Sequence, residues 1–388
     1  MQRRIRLASA AVVLSLGAFL SLGSSLTLSA QQPAPPPADQ PSAQFQGQAN
    51  VNEVLLDVLV TDKKGNVIVG LNKTDFVVKE NGKPIDLTGV TFYSNRHYLQ
   101  ETKDLTAKTG LDIDKVPESR YFILFFDDQK QSSATSPVLL SQQVQAGIQA
   151  KKWVAENLLP NDYVAVASFD YKLKIQQDFT HDTRALQTAI DDAVRGHDTE
   201  GNWPSRLAKV EGPSLLVNLP RGNDLRDKTA RIYDGIRLLA DSAGHVTGRK
   251  NLVLFTHGFG LINNFGQYHP DVRYYPPMMH ALNSNNVAVY AVDLVPAGVN
   301  HPLANAMNQL ALETGGEYYF DFTNFLSPLK EVAKENNGYY LLSYAATHTG
   351  DQAGFQKVTV ETTNPEFKVK AREGYQYGRA EAEAKASR

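Results

Sequence analysis

Two hydrophobic periods alternate through the middle of the chain. Tyr121–Phe126 is an unbroken apolar run of six residues that stops at Asp127-Asp128. It has the length of a strand buried on both faces and is too short to stand as a helix. A polar loop leads to Ser136-Pro137, a helix-start signal, after which Leu140, Val144, Ile148, Val154 and Leu158 recur at roughly helical spacing and predict a helix over 137–159. The alternation then repeats. Strands are expected over 163–169, over 173–179 at an edge, and over 251–256, 287–292 and 318–320. Helices are expected after Asp182 with Leu186, Ala189, Ile190, Ala193 and Val194 facing inward, over 224–242, before Asn286, around Leu303–Ala311 and over 325–333. Such an order predicts an α/β fold with a doubly wound, mainly parallel sheet, whose sites lie at the carboxyl ends of its strands, where Asp127 and Asp128 fall.

Towards both termini the pattern changes to strands alone. Residues 49–96 read as an N-terminal β module, with a turn at Asp62–Asn66, a return strand at Val67–Val69 and a tight Asn81-Gly82 hairpin. Residues 338–378 read as further strands that pair with this module, so an accessory β domain is built from both ends around an α/β domain over 119–337. A surface insertion over 196–223 carries Trp203, and 379–388 reads as a frayed tail. At the start, basic residues precede the apolar stretch Leu7–Leu28, which marks 1–30 as an export signal, cleaved after Ala30 or retained as an anchor. The Pro- and Gln-rich stretch 31–48 is a solvated linker.

Composition narrows the chemistry. The formal net charge is -2, with acids and bases mixed, so nothing favours nucleic acid as a partner. Cysteine is absent, which excludes disulfides, thiolate metal sites and cysteine nucleophiles. The catalytic motifs Gly-x-Ser-x-Gly, His-Glu-x-x-His, the phosphate loop and Gly-x-Gly-x-x-Gly after a strand are missing, and the nine histidines show no ligand spacing. The sequence therefore reads as a non-enzyme, with an exported hydrolase as the weaker alternative.

Several segments, in a shared order, resemble von Willebrand factor type A (VWA) domain proteins, in particular the exported VWA-related proteins of Acidobacteria and similar bacteria. They are Gly70–Gly82, Lys228–Ile236, Gly248–Thr256, Gly338–Tyr344 and Lys370–Tyr375. The resemblance implies a divalent-cation site for Mg²⁺ or Mn²⁺ built from Asp-x-Ser-x-Ser, a threonine and a later aspartate. Asp127 and Thr229 match the first and fourth ligands, whereas Gln129 and Gln131 stand in place of the serines and His257 in place of the aspartate. Mg²⁺ prefers hard oxygen ligands, so the implied site is degenerate, with Asp128 beside it.

The resemblance implies adhesion-type protein binding outside the cytoplasm, in the periplasm, at the outer surface or in the medium. Membrane contact would come only through an uncleaved N-terminal segment. Asp128, Gln129, Gln131, Trp203, His257, Phe259, Phe265, Tyr268, Arg273, Tyr274 and Tyr275 are expected to gather at the carboxyl edge as a binding face, since aromatics and arginine are enriched in interfaces. The alternative is a structural or assembly component of the envelope that binds through its β domain.

Overall fold

The computed structural model describes residues 53–94, 119–127, 137–196, 213–220, 222–246, 248–296, 298–299, 301–320, 324–347 and 354–377. The expected signal, linker and tail lie outside them. Among the described residues no helix is long and apolar enough to cross a membrane.

The apolar run from Tyr121 forms β5 (Arg120–Asp127), a central strand of a six-stranded sheet. The other members are β6 (Asp162–Phe169), β7 (Leu173–Thr180), β8 (Lys250–Thr256), β11 (Val287–Asp293) and β12 (Tyr318–Tyr319), and the order across the sheet is β12-β11-β8-β5-β6-β7. All pair in parallel except β7, which runs antiparallel at one edge. Side chains of a strand alternate between faces, so Ile123 and Phe125 enter one core, while Phe122, Leu124 and Phe126 enter another. The first core is covered by α4 (Ile232–Ala243) and α5 (Tyr275–Ser284), with Leu310 of α6 (Ala304–Glu313). The second is covered by α1 (Pro137–Glu156), α2 (Thr183–Arg195) and α7 (Leu326–Glu335).

Helix α1 differs from the simple reading of its spacing. Leu140, Val144 and Ile148 are exposed, and the helix instead buries Gln143, Ala146, Ala150, Trp153 and Val154. The reason is close approach to α2. A Cβ on Gly147 would lie 2.6 Å from Val194 Cγ2, so only small residues fit the inner face there. The helix expected over 224–242 is also divided, into α3 (Asn223–Lys228) and α4, at Thr229.

The remaining strands form two four-stranded antiparallel sheets. In one, β1 (Glu53–Thr61) lies between β13 (Gly338–Ala345) and β15 (Lys368–Ala371), and β4 (Gly89–Ser94) flanks β13. In the other, β2 (Phe76–Glu80) lies between β3 (Lys83–Ile85) and β14 (Gly354–Thr362), with β16 (Gly374–Tyr377) beyond. Asn81 and Gly82 turn the β2–β3 hairpin with positive φ at both, 49° and 81°. The return strand expected at Val67–Val69 is reduced to one bridge between Thr61 and Val67. The two sheets share one core, to which Leu56, Val58, Tyr340 and Leu342 come from the first and Phe76, Val78 and Val358 from the second.

Charged residues join these sheets to the amino end of the central one. Arg249 donates to Gly315 O at 2.7 Å and Tyr290 Oη at 3.3 Å, and Arg372 donates to the carbonyls of Asn283 and Leu55. Asp57 of β1 is buried beside Arg249, Arg372 and Lys250. Lys370 donates to both oxygens of Glu335, at 2.7 and 2.8 Å, and to Glu317.

Candidate functional site

From β5 the chain passes to β6 on one side, and from β8 to β11 on the other. The connections diverge between β5 and β8, and the crevice outside the carboxyl ends of such strands is where open α/β sheets place their sites. Asp127 and Thr256 end the two strands there. Both are buried, and Thr256 Oγ1 donates to Asp127 Oδ2 at 2.6 Å while accepting from Gly258 N at 2.9 Å. The carboxylate expected from sequence is therefore at the switch point, held from β8.

Thr229 is wholly buried. Its hydroxyl donates to Leu225 O at 2.6 Å and accepts from Leu173 N at 3.1 Å, which ties α3 to the start of β7 and uses its only proton. Asp128, Gln129, Gln131 and Trp203 lie outside the described residues. Among the described residues no three histidine, aspartate or glutamate side chains are grouped to hold a metal. Asp127 and Thr229 alone do not supply the octahedral oxygen shell of Mg²⁺ or Mn²⁺.

His257 follows β8 directly and is buried, with neither ring nitrogen hydrogen-bonded. Burial, helped by nearby His301, brings its pKa down to about 4, so the ring is neutral near pH 7. His301 Nε2 lies 3.4 Å from Asp293 Oδ2. Asp293 ends β11 and accepts from Tyr318 Oη at 2.6 Å and Val295 N at 2.7 Å. The His257 imidazole thus packs as an uncharged group.

After His257 the chain forms a hairpin that the sequence did not announce, β9 (Leu261–Ile262) paired with β10 (Tyr268–His269). Its turn is braced by Asn263 Oδ1, which accepts from Phe265 N at 2.9 Å and Gln267 N at 3.0 Å. Its base is fixed at Gly260. There φ is +150°, and a Cβ would lie 2.5 Å from Cε2 of the half-buried Tyr268. Leu261 and Ile262 are exposed, as are Phe265 at 88 % and Val272 at 81 %. Apolar groups are held in water on a braced loop.

The other aromatics divide between core and surface. Tyr275 is buried and donates to Glu313 Oε2 at 2.7 Å, and burial pushes its phenol pKa up. Half-buried Phe259 meets Tyr233 edge-on at 5.1 Å. Half-buried Tyr274 stacks on Tyr233 at 6.3 Å, with the guanidinium carbons of Arg231 and Arg273 at 4.3 and 5.1 Å from its ring centroid. Arg231, Val272 and Tyr233 were absent from the sequence-derived face. Arg231 sits two residues after Thr229, at the α3–α4 break, which apolar periodicity does not reveal.

No family model matches the chain, and no curated protein matches it. Among solved structures it is similar to the PilB minor pilin from Streptococcus sanguinis, at 16% identity over 57% of this chain and 62% of that one, with a TM-score of 0.33. It thus spans less than two thirds of the pilin chain. It is also similar to the conserved hypothetical protein BatB from Bacteroides thetaiotaomicron, at 17% identity over 56% of this chain and 97% of that one, TM-score 0.34. A third is the SpRpn10 VWA domain, at 11% identity over 55% and 95% respectively, TM-score 0.32. These likenesses are loose, and the α/β architecture rests on the chain's own strand order and register.

Proposed function

We propose that this chain is an exported, non-catalytic VWA-type binding protein that contacts a protein partner through the loops at the carboxyl edge of its central sheet. The observation that carries the reading is the β9–β10 hairpin. It is braced at its turn and base, yet presents Leu261, Ile262 and Phe265 to solvent. Exposed apolar groups on a preorganised loop favour association, because little conformational freedom remains to be lost on binding. The reading needs no metal, since the contact is made by the exposed apolar groups of the hairpin.

The test is capture of an envelope partner by chemical cross-linking, with the wild-type chain beside an Ile262→Ser/Phe265→Ser variant. Both side chains are solvent-exposed, so the variant folds as the parent does. Capture by the parent and loss in the variant supports the hairpin as the contact. Equal capture by both, or capture by neither, counts against it.

A further inference from the structure

Two guanidinium groups converge on one tyrosine at the carboxyl edge. The Cζ atoms of Arg231 and Arg273 lie 4.3 and 5.1 Å from the Tyr274 ring centroid, and the ring is backed by Tyr233. Aromatic stacking thus places both cations on a fixed platform. Their counter-charges sit behind them. Asp271 is buried, accepts from Arg273 N at 3.0 Å, and meets its guanidinium only at 3.4 Å. Asp234, with its side chain 19% exposed, meets Arg231 at 3.5 Å. The arginine side chains themselves are 53% and 71% exposed.

Such contacts are longer than the about 2.7–2.9 Å of a strong charge-assisted hydrogen bond. They orient the guanidiniums and leave donors free, because each guanidinium carries five N–H groups. Arg231 is also the cap residue of α4, which begins without a side-chain hydrogen bond to its first amides. A cation stands where a helix start favours an anion.

We propose that Arg231 and Arg273, held on the Tyr274 ring, clamp a carboxylate of an acidic protein segment, with exposed Val272 receiving an apolar neighbour of that carboxylate. The clamp names the partner chemistry of the binding reading above and rests on it. A protein carboxylate fits better than a nucleic-acid backbone. Each arginine has an acid behind it, so the edge has no extended positive field for a polyanion, while Val272 offers an apolar contact beside the charge.

The experiment titrates the full chain into a fluorescein-labelled peptide alternating glutamate with valine, and into the same peptide with glutamine replacing glutamate, read by anisotropy. The expected result is saturable binding of the glutamate peptide, about tenfold weaker for the glutamine peptide and for Arg231→Gln/Arg273→Gln, the loss of charge-assisted hydrogen bonds. Tyr274→Leu, which keeps an apolar side chain but removes the platform, should weaken binding, and EDTA should leave it unchanged. Equal affinity for the two peptides, wild-type affinity in the arginine variant, or no saturable binding of the glutamate peptide overturns the clamp. Loss of binding in EDTA also overturns it, because the carboxylate would then sit on a cation. If the arginine variant retains cross-linked capture while Ile262→Ser/Phe265→Ser loses it, the clamp fails and the binding reading stands. If both retain it, the binding reading fails.

Discussion

Strand β8 has a buried base at each end, and the two are treated differently. At its amino end Lys250 donates to Val246 O at 2.9 Å and lies near Asp57. At its carboxyl end His257 has no hydrogen-bond partner. The amino end belongs to a cluster of Asp57, Arg249 and Arg372 that joins the β sheets to the α/β layer, its arginines bonded to the carbonyls of Gly315 and Leu55. At the carboxyl end Asp127 is held by Thr256, His257 is kept neutral, and charges near the surface are only loosely paired. The seam is held through bonds to backbone carbonyls, whereas the carboxyl edge leaves its outer charges loosely paired.

The largest expected effect is at the seam. Asp57→Ala removes the buried carboxylate that faces buried Arg249 and half-buried Arg372 and should destabilise the fold by about 1–3 kcal/mol in urea unfolding. A loss under about 1 kcal/mol would remove the claim that this end is the structural one.

The two ends of β8 should also separate by pH. Burial lowers the Lys250 pKa to about 8 from an ordinary value near 10.5. The unfolded chain binds more protons between these values, so stability should rise as pH climbs from about 8 to about 10.5, by about 3 kcal/mol. Lys250→Met should flatten that rise and stabilise the protein at pH 7 by about 2 kcal/mol, part of the gain being offset by the lost bond to Val246. For His257 the folded pKa near 4 lies below the ordinary 6.5. Its contribution is fully present above about 6.5 and is lost as pH falls through 4, so His257→Phe should flatten this acid limb in thermal unfolding measured across that range.

Smaller effects sharpen the carboxyl side. Thr256→Val removes the donor to Asp127 and should cost about 1–3 kcal/mol. Phe265→Ser should change stability by less than about 0.5 kcal/mol, since the side chain is solvent-exposed. A larger loss on thermal unfolding would mean that this residue belongs to the fold and not to a contact surface.

Much of the sheet was legible because buried parallel strands must be apolar throughout. Tyr121–Phe126 and its terminal Asp127 needed nothing else, and Asp182 capping α2 followed from local chemistry, its Oδ1 accepting from Arg184 N at 2.9 Å. The face of α1 was not legible. Leu140, Val144 and Ile148 have helical spacing, but steric access to Val194 selects Ala146, Gly147 and Ala150 for the inside. The break at Thr229 depends on a hydroxyl reaching Leu225 and Leu173, and Tyr275 turns inward to reach Glu313. Each is a long-range or geometric fact that periodicity does not encode. The β9–β10 hairpin escaped notice because its strands have two residues each, too short for an alternation to show.

The position of β1 bears on how the protein is made. Its flanking strands β13 and β15 come far later in the chain, and Arg372, which donates to Leu55 O, is 317 residues away. Until those strands have emerged, β1 is an apolar segment without its ladder. Early pairing of β1 with another nascent chain would compete with completion of the native sheet. Closure of the β layers therefore waits for β13 and β15, and a chain lacking those strands would leave β1 as an open template for aggregation.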